Sequence, residues 1–250
     1  MSVPATAPAT VPATVPATAP PTATLKVNQE FTTLMVFLMS FTASSGNFNA
    51  RRYLIQDLRR NFVSITSWAI LRNEDVAKIV AVLKEFQISK LISMGAGTGY
   101  IEQLFKETID ITKDYTCNIN AFDSDPNAHM EKDPIFMFDF IPKAKTLYKK
   151  IMKDADYFEV QQGTPDILKN FSIQTALLLC WPPYNTSMAY DALVKFKGNV
   201  LIYIGEGRDG CTGDDKFHDK LIKEWDLYLT IENPTWVDIY DSVFIYKRKQ

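Results

Sequence analysis

The segment Leu91-Ile92-Ser93-Met94-Gly95-Ala96-Gly97-Thr98-Gly99-Tyr100 limits what this chain can fold into more than any other. A short apolar run enters three glycines on alternate positions, and Ile101, Leu104 and Phe105 then recur at helical spacing. The pattern predicts a strand, a tight turn and a helix. Glycines at such a turn allow the backbone to approach a ligand closely. A dinucleotide fingerprint would need its third glycine one residue later, where Tyr100 stands. The spacing therefore suits a ligand without a pyrophosphate. A glycine-rich turn that binds nothing is the plain alternative.

The rhythm of the chain around this segment predicts the fold class. Apolar runs at Leu91–Met94, Asn118–Phe122, Phe158–Gln161, Ala176–Cys180 and Val200–Ile204 alternate with turn chemistry and helical spacing. Nearly continuous apolar runs suit parallel strands covered on both faces, with helices as right-handed crossovers. The expectation is an α/β, Rossmann-like, doubly wound sheet. Two final runs, Leu227–Ile231 and Val243–Tyr246, read as an antiparallel hairpin closing one edge. Ahead of the sheet, helical spacing from about Leu25 to Asn61 forms an N-terminal lead-in, with Arg52, Arg59 and Arg60 as its solvated flank. A further helix is expected to begin with Asn73 as its N-cap. Residues 1–24 repeat Val-Pro-Ala-Thr and read as an extended, disordered spacer, leaving 25–250 as a single domain with helices over 25–70.

Candidate site residues follow from the strand ends. Asn120-Ala121-Phe122-Asp123 places a carboxylate at a strand tip about two dozen residues after the last glycine, where it can accept ribose hydroxyls. Asp123 and Ser124 also open a turn-like Asp-x-Asp-Pro. Gly163 and Thr164 end the next run and are candidate neighbours of a base, with Thr164 also a cap and Pro165 a first helical residue. After the fourth run, Trp181-Pro182-Pro183-Tyr184 makes a stiff exit toward the carboxyl ends of the strands. The loop after the fifth strand holds Glu206, Cys211, Thr212, Asp214 and His218. Glu206 is the best polar candidate there, and Thr212 or Asp214 a helix cap. No metal site is expected, and Cys180 reads as a small core hydrophobe rather than a nucleophile.

Trp-Pro-Pro-Tyr resembles the Asn/Asp-Pro-Pro-Tyr motif of amino-methylating nucleic-acid methyltransferases, with Trp181 in the place of the polar first residue. Over roughly residues 65–247 the chain is similar to a family of class I methyltransferase-like proteins. The matching motifs are Trp68-Ala69-Ile70, Gly95 to Tyr100, Cys180 to Pro183, Gly205-Glu206, and Gly210 to Asp214. The resemblance implies S-adenosyl-L-methionine as cofactor, with Gly95, Ala96, Gly97, Thr98, Gly99, Asp123, Ser124, Gly163 and Thr164 around it. Trp181, Pro182, Pro183, Tyr184 and Glu206 would then line the acceptor side. Ser93 departs from the pattern, which usually has an acid there.

The function expected is methyl transfer to an acceptor the sequence does not name. Two alternatives stay open: a catalytically inactive binding module, and a nucleic-acid methyltransferase that contacts phosphate through Arg51, Arg52, Arg59 and Arg60. With 27 basic and 29 acidic residues, the net charge of −2 gives no basic excess to support nucleic acid as partner. Three widely spaced cysteines indicate no disulfide framework, and no run approaches the roughly eighteen apolar residues of a membrane span. A soluble, intracellular, cytoplasmic protein is expected, with the nucleus open.

Overall fold

The structure, a computed structural model, describes residues 22–43, 48–128 and 141–249. Seven strands form one sheet: β1 (Lys90–Met94), β2 (Asn118–Asp123), β3 (Val160–Gln162), β4 (Thr175–Cys180), β5 (Val200–Gly205), β6 (Trp225–Ile231) and β7 (Ser242–Arg248). Their order is β3-β2-β1-β4-β5-β7-β6. The first five are parallel, and β7 inserts antiparallel between β5 and β6. The Rossmann-like sheet with a C-terminal antiparallel pair is therefore present. The β3 strand is shorter than its apolar run suggests and starts at Val160. Phe158 lies ahead of it because its backbone N–H is taken by the Gly99 carbonyl.

Seven helices surround the sheet among the described residues: α1 (Ala23–Ala43), α2 (Phe48–Val63), α3 (Asn73–Glu85), α4 (Tyr100–Ile111), α5 (Pro142–Asp154), α6 (Met188–Lys195) and α7 (Asp215–Glu224). Alternation along each strand sends side chains to two cores. Leu91, Leu178 and Ile202 face a layer carrying Phe31, Phe62, Leu83, Leu104 and Ile151. Ile92, Leu177 and Leu201 face Ala189, Leu193, Phe217 and Leu221. No described helix is long and apolar enough to cross a membrane.

The lead-in is part of the first layer. Phe31 of α1 packs on Phe62 of α2 with ring centroids 5.1 Å apart, and Phe62 meets Tyr148 of α5 edge-on at 6.0 Å. Three expectations are corrected here. The α1 helix begins at Ala23, inside the segment assigned to the tail, because Thr24 is fully buried and its hydroxyl accepts the Asp156 N–H at 3.0 Å. The N-cap of α3 is Arg72, not Asn73; the Asp75 carboxylate accepts the Arg72 N–H, while Asn73 joins Leu25 and Asn28 of α1. Arg59 is half-buried rather than part of a solvated flank, and Arg60 alone stays out, beside Asp57 at 3.6 Å. Residues 1–21 of the tail lie outside the described residues.

Phe62→Ala removes a fully buried ring from the α1–α2–α5 contact and is expected to cost about 3–5 kcal/mol of folding stability. If residues 25–250 form one cooperative unit, urea titrations followed by tryptophan fluorescence and by far-UV circular dichroism will shift together. A separate early transition of the helices would contradict that.

Candidate functional site

Chain winding reverses at β1: β2 and β3 lie to one side of it, and β4, β5, β7 and β6 to the other. In open α/β sheets, the crevice at such a reversal, outside the carboxyl ends of the strands, is where ligands bind. The glycine turn leaves β1 there, and Trp181-Pro182-Pro183-Tyr184 leaves β4 directly beside it.

The turn is built by backbone and by one carboxylate. Gly95, Gly97 and Gly99 have φ of 78°, 57° and 77°, a left-handed conformation that glycine adopts without steric cost. The Gly95 and Ala96 N–H groups donate to the Phe122 carbonyl at 2.8 and 3.1 Å. The Gly97 N–H donates to Asp123 Oδ2 at 3.0 Å, and the Asp125 N–H to Oδ1 at 3.0 Å. Asp123 is thus buried against the turn. A carboxylate offers about four acceptor positions, so these two bonds leave lone pairs on the same oxygens. Gly99 has a packing reason as well: a Cβ there would lie 2.3 Å from the Phe158 carbonyl oxygen. Thr98 reaches out of the turn to the Thr66 carbonyl, which draws segment 64–70 over the crevice.

Gly163, Thr164 and Ser124 gather at the β2–β3 end. The Gly163 N–H donates to the Asp123 carbonyl at 2.8 Å, and a Cβ on Gly163 would press on the Phe122 ring at 2.9 Å. Thr164 occupies the N-cap of a 3₁₀ turn, Pro165–Asn170, with Pro165 in its first helical turn, but its hydroxyl makes no capping bond. Ser124 is exposed and accepts Gln162 Nε2 through its carbonyl. A groove of about 400 Å³ lined by Gln103, Asn120, Tyr157 and Glu159 lies at the β2–β3 flank, apart from the turn.

The β4 exit forms the second wall. Trp181 has φ of 52°, a conformation costly for a bulky residue but one in which Asn and Asp are enriched. The backbone thus keeps the shape that the Asn/Asp residue of the resembled motif favours, while the side chain has changed. Its N–H donates to the Ile204 carbonyl, its indole N–H to Asp241 Oδ2 at 2.8 Å, and its ring stacks on Trp68 at 5.4 Å. Pro182 is buried and its carbonyl accepts the Gly213 N–H; Pro183 pairs with Thr212; Tyr184 is 60% exposed.

Glu206 does not serve as an open polar contact. It is buried, Oε2 accepts the Cys211 N–H at 2.6 Å, and Oε1 accepts the Tyr240 N–H at 2.9 Å. Its carboxylate pins the loop after β5 to the loop before β7. Asp214, not Thr212, caps α7, accepting the Phe217 N–H at 3.0 Å. Thr212 instead bonds Tyr203 and the Glu206 N–H, and His218 Nε2 lies 2.9 Å from the Thr212 carbonyl. The Cys180 thiol is pushed up to about 12 by burial, so it packs rather than attacks. His129 falls outside the described residues.

Four site residues escaped the sequence reading. Glu102, in the first turn of α4, is 1% exposed and receives the Ser93 hydroxyl on Oε1 at 2.6 Å. A carboxyl therefore does reach strand position 93, but from a helix. An acid three residues after Gly99, facing a serine where an acid is usual, was the available signal. Arg59 and Asp241 meet at Trp181 from distant segments and had none. Met188 opens α6 with its methyl carbon 3.0 Å from where a Gly95 Cβ would sit.

Burial pushes the Glu102 carboxyl up to about 7, against the opposing Ser93 hydrogen bond. A carboxyl with a raised folded pKa stabilises the fold while protonated; that contribution is lost as pH rises from the unfolded value to about 7. Glu102→Gln cannot ionise. From about pH 5 to about pH 8 the wild type is expected to lose on the order of 3 kcal/mol relative to this variant. Urea titrations at both pH values check this; a pH-independent difference would contradict it.

No protein-family model and no curated protein matches the chain. Solved structures with the same general fold include a candidate O-methyltransferase from Klebsiella pneumoniae, at 11% identity, covering 89% of this chain and 99% of that one, with a TM-score of 0.45. Magnesium protoporphyrin IX methyltransferase from Synechocystis, with bound S-adenosylmethionine, matches at 11% identity over 92% and 99%, with a TM-score of 0.41. A candidate RNA methyltransferase from Pyrococcus horikoshii matches at 12% over 71% and 83%, with a TM-score of 0.38. At these identities and scores the likeness adds nothing to the strand order described above.

Proposed function

We propose that the chain is an S-adenosyl-L-methionine-dependent methyltransferase, of the Cys-Trp-Pro-Pro type that its motif order resembles. The observation carrying the reading is the meeting of the left-handed glycine turn, the Asp123 carboxylate and the Trp181–Tyr184 exit at one strand-order reversal. The residues fit the cofactor. Asp123 has acceptor positions for ribose hydroxyls beyond those used by Gly97 and Asp125, and Ala96 to Thr98 stay half-exposed along the turn. Gly163 and Thr164 lie next to Asp123, where a base would follow the ribose.

The cofactor supplies a methyl group on a sulfonium, which passes to an acceptor lone pair as the carbon–sulfur bond breaks. That displacement needs alignment above all, and a strong general base is not obligatory. The chain's contribution is positional: the turn holds one partner, and Trp181, Pro182 and Tyr184 hold the other against it. Segment 64–70, tied to the turn through Thr98 and to β4 through Ser67 and Cys180, would shield the gap from water. The nucleic-acid alternative gains nothing from Arg59, whose guanidinium lies over Trp68 and Trp181.

Calorimetric titration with S-adenosylmethionine and S-adenosylhomocysteine tests the reading. Binding of both is expected, and Asp123→Ala is expected to weaken it by roughly 10- to 100-fold, the size of one or two lost hydrogen bonds to a charged group. Asp123→Asn, which keeps an acceptor for the Gly97 N–H, should fall between. No heat from a folded sample, or unchanged affinity in both variants, would overturn it.

A further inference from the structure

Among the described residues, six buried side-chain polar atoms lack a hydrogen-bond partner, and three of them are Arg59 Nε, Asn233 Oδ1 and Asp241 Oδ1. Arg59 comes from α2; Asn233 and Asp241 come from the loop between β6 and β7. Arg59 and Asp241 converge on Trp181. The guanidinium of Arg59 lies 4.8 Å from the Trp68 ring centre and 5.4 Å from that of Trp181. Asp241 holds the edge of the same Trp181 ring through Oδ2, and Asn233 turns its amide nitrogen to the Pro234 carbonyl.

The orphaned atoms are of complementary kinds. Arg59 Nε carries a proton to donate, while Asp241 Oδ1 and Asn233 Oδ1 can only accept. Arg60, Arg72 and Arg208 each have a carboxylate within salt-bridge distance, whereas Arg59 has none among the described residues. Polar atoms are costly to bury unpartnered, and three around one ring imply a group that completes them. Trp68 is 48% exposed and Tyr184 60%, so the aromatic side of the cluster opens to solvent.

We propose that this cluster recognises the methyl acceptor, and that it takes a neutral planar group whose edge sets a hydrogen-bond acceptor beside a donor, as in a carboxamide or an amino-substituted heterocycle. The acceptor atom receives the Arg59 Nε proton, and the donor completes Asp241 Oδ1 or Asn233 Oδ1. Planarity matches the tryptophan faces. Neutrality follows from the charges present: an anion would sit near Asp241 and Glu206, and a cation beside Arg59. The substrate class rests on the methyl-transfer reading of the site; the binding geometry does not.

Three compounds of one shape test it: benzamide, benzoate and benzamidine differ only in the edge they present. Each is titrated into the full chain without cofactor, following tryptophan fluorescence. Benzamide is expected to bind at least roughly tenfold more tightly than the other two. Arg59→Met should abolish that preference, and Asp241→Asn, which keeps an acceptor for the Trp181 indole, provides a second variant should the first fail to fold. Benzoate or benzamidine binding most tightly, equal binding of all three, no binding, or a preference unchanged in the folded variants would overturn the proposal. A failed preference with intact S-adenosylmethionine binding removes this inference alone. The preference without cofactor binding removes the methyl-transfer reading alone.

Discussion

The Asp123 carboxylate is the point on which the site's geometry depends. It stands at the tip of β2, accepts the Gly97 N–H from the turn after β1, and accepts the Asp125 N–H from its own exit. One side chain therefore sets the height of the glycine turn relative to the neighbouring strand and the direction in which β2 leaves the sheet. The Phe122 carbonyl adds two further bonds to the same turn, so the β1 exit is fastened to β2 by main chain and side chain together. The turn cannot move without β2. Gly99 closes the arrangement from below, because only a residue without Cβ leaves room for the Phe158 carbonyl.

The opposite wall is fastened by a different device. Tyr203 and Thr212 share a hydroxyl pair at 2.6 Å beneath the loop after β5, and Glu206 clamps that loop through two backbone N–H groups. The loop in turn receives the β4 exit through Pro182 and Pro183. Trp181 can hold a left-handed backbone because its N–H, its indole and its ring face are each engaged. Two rigid walls meet at the strand-order reversal, and the lead-in helices contribute Arg59 to one of them. Where methyl transfer depends on alignment, rigid walls are what the fold has to supply.

Much of this was legible in the sequence because it rests on local patterns. The apolar runs located the strands within a few residues, and the alternating glycines together with Asp123 located the crevice. The last two runs revealed the antiparallel edge for the same reason, since no helical spacing separates them. What failed to show was long-range. Glu206 reads as an exposed acid in a glycine-rich loop, yet Cys211 and Tyr240 take both its oxygens, and Tyr240 is 34 positions away. Arg59 reads as part of a solvated helix face because nothing local announces Trp68 and Trp181. Asn73 looks like a cap, but α1 claims its side chain. Tertiary competition for a polar group is invisible to periodicity.

The central claim is that S-adenosylmethionine lies across the glycine turn and the tip of β2. Hydrogen exchange of the full chain, read by mass spectrometry with and without the cofactor, tests it most directly. The account predicts that exchange slows in peptides covering residues 95–99 and 123–125 and in those covering 163–164, with little change at the far edge around β6. Protection confined to the groove at Gln103, Tyr157 and Glu159, or no protection at saturating cofactor, would contradict it.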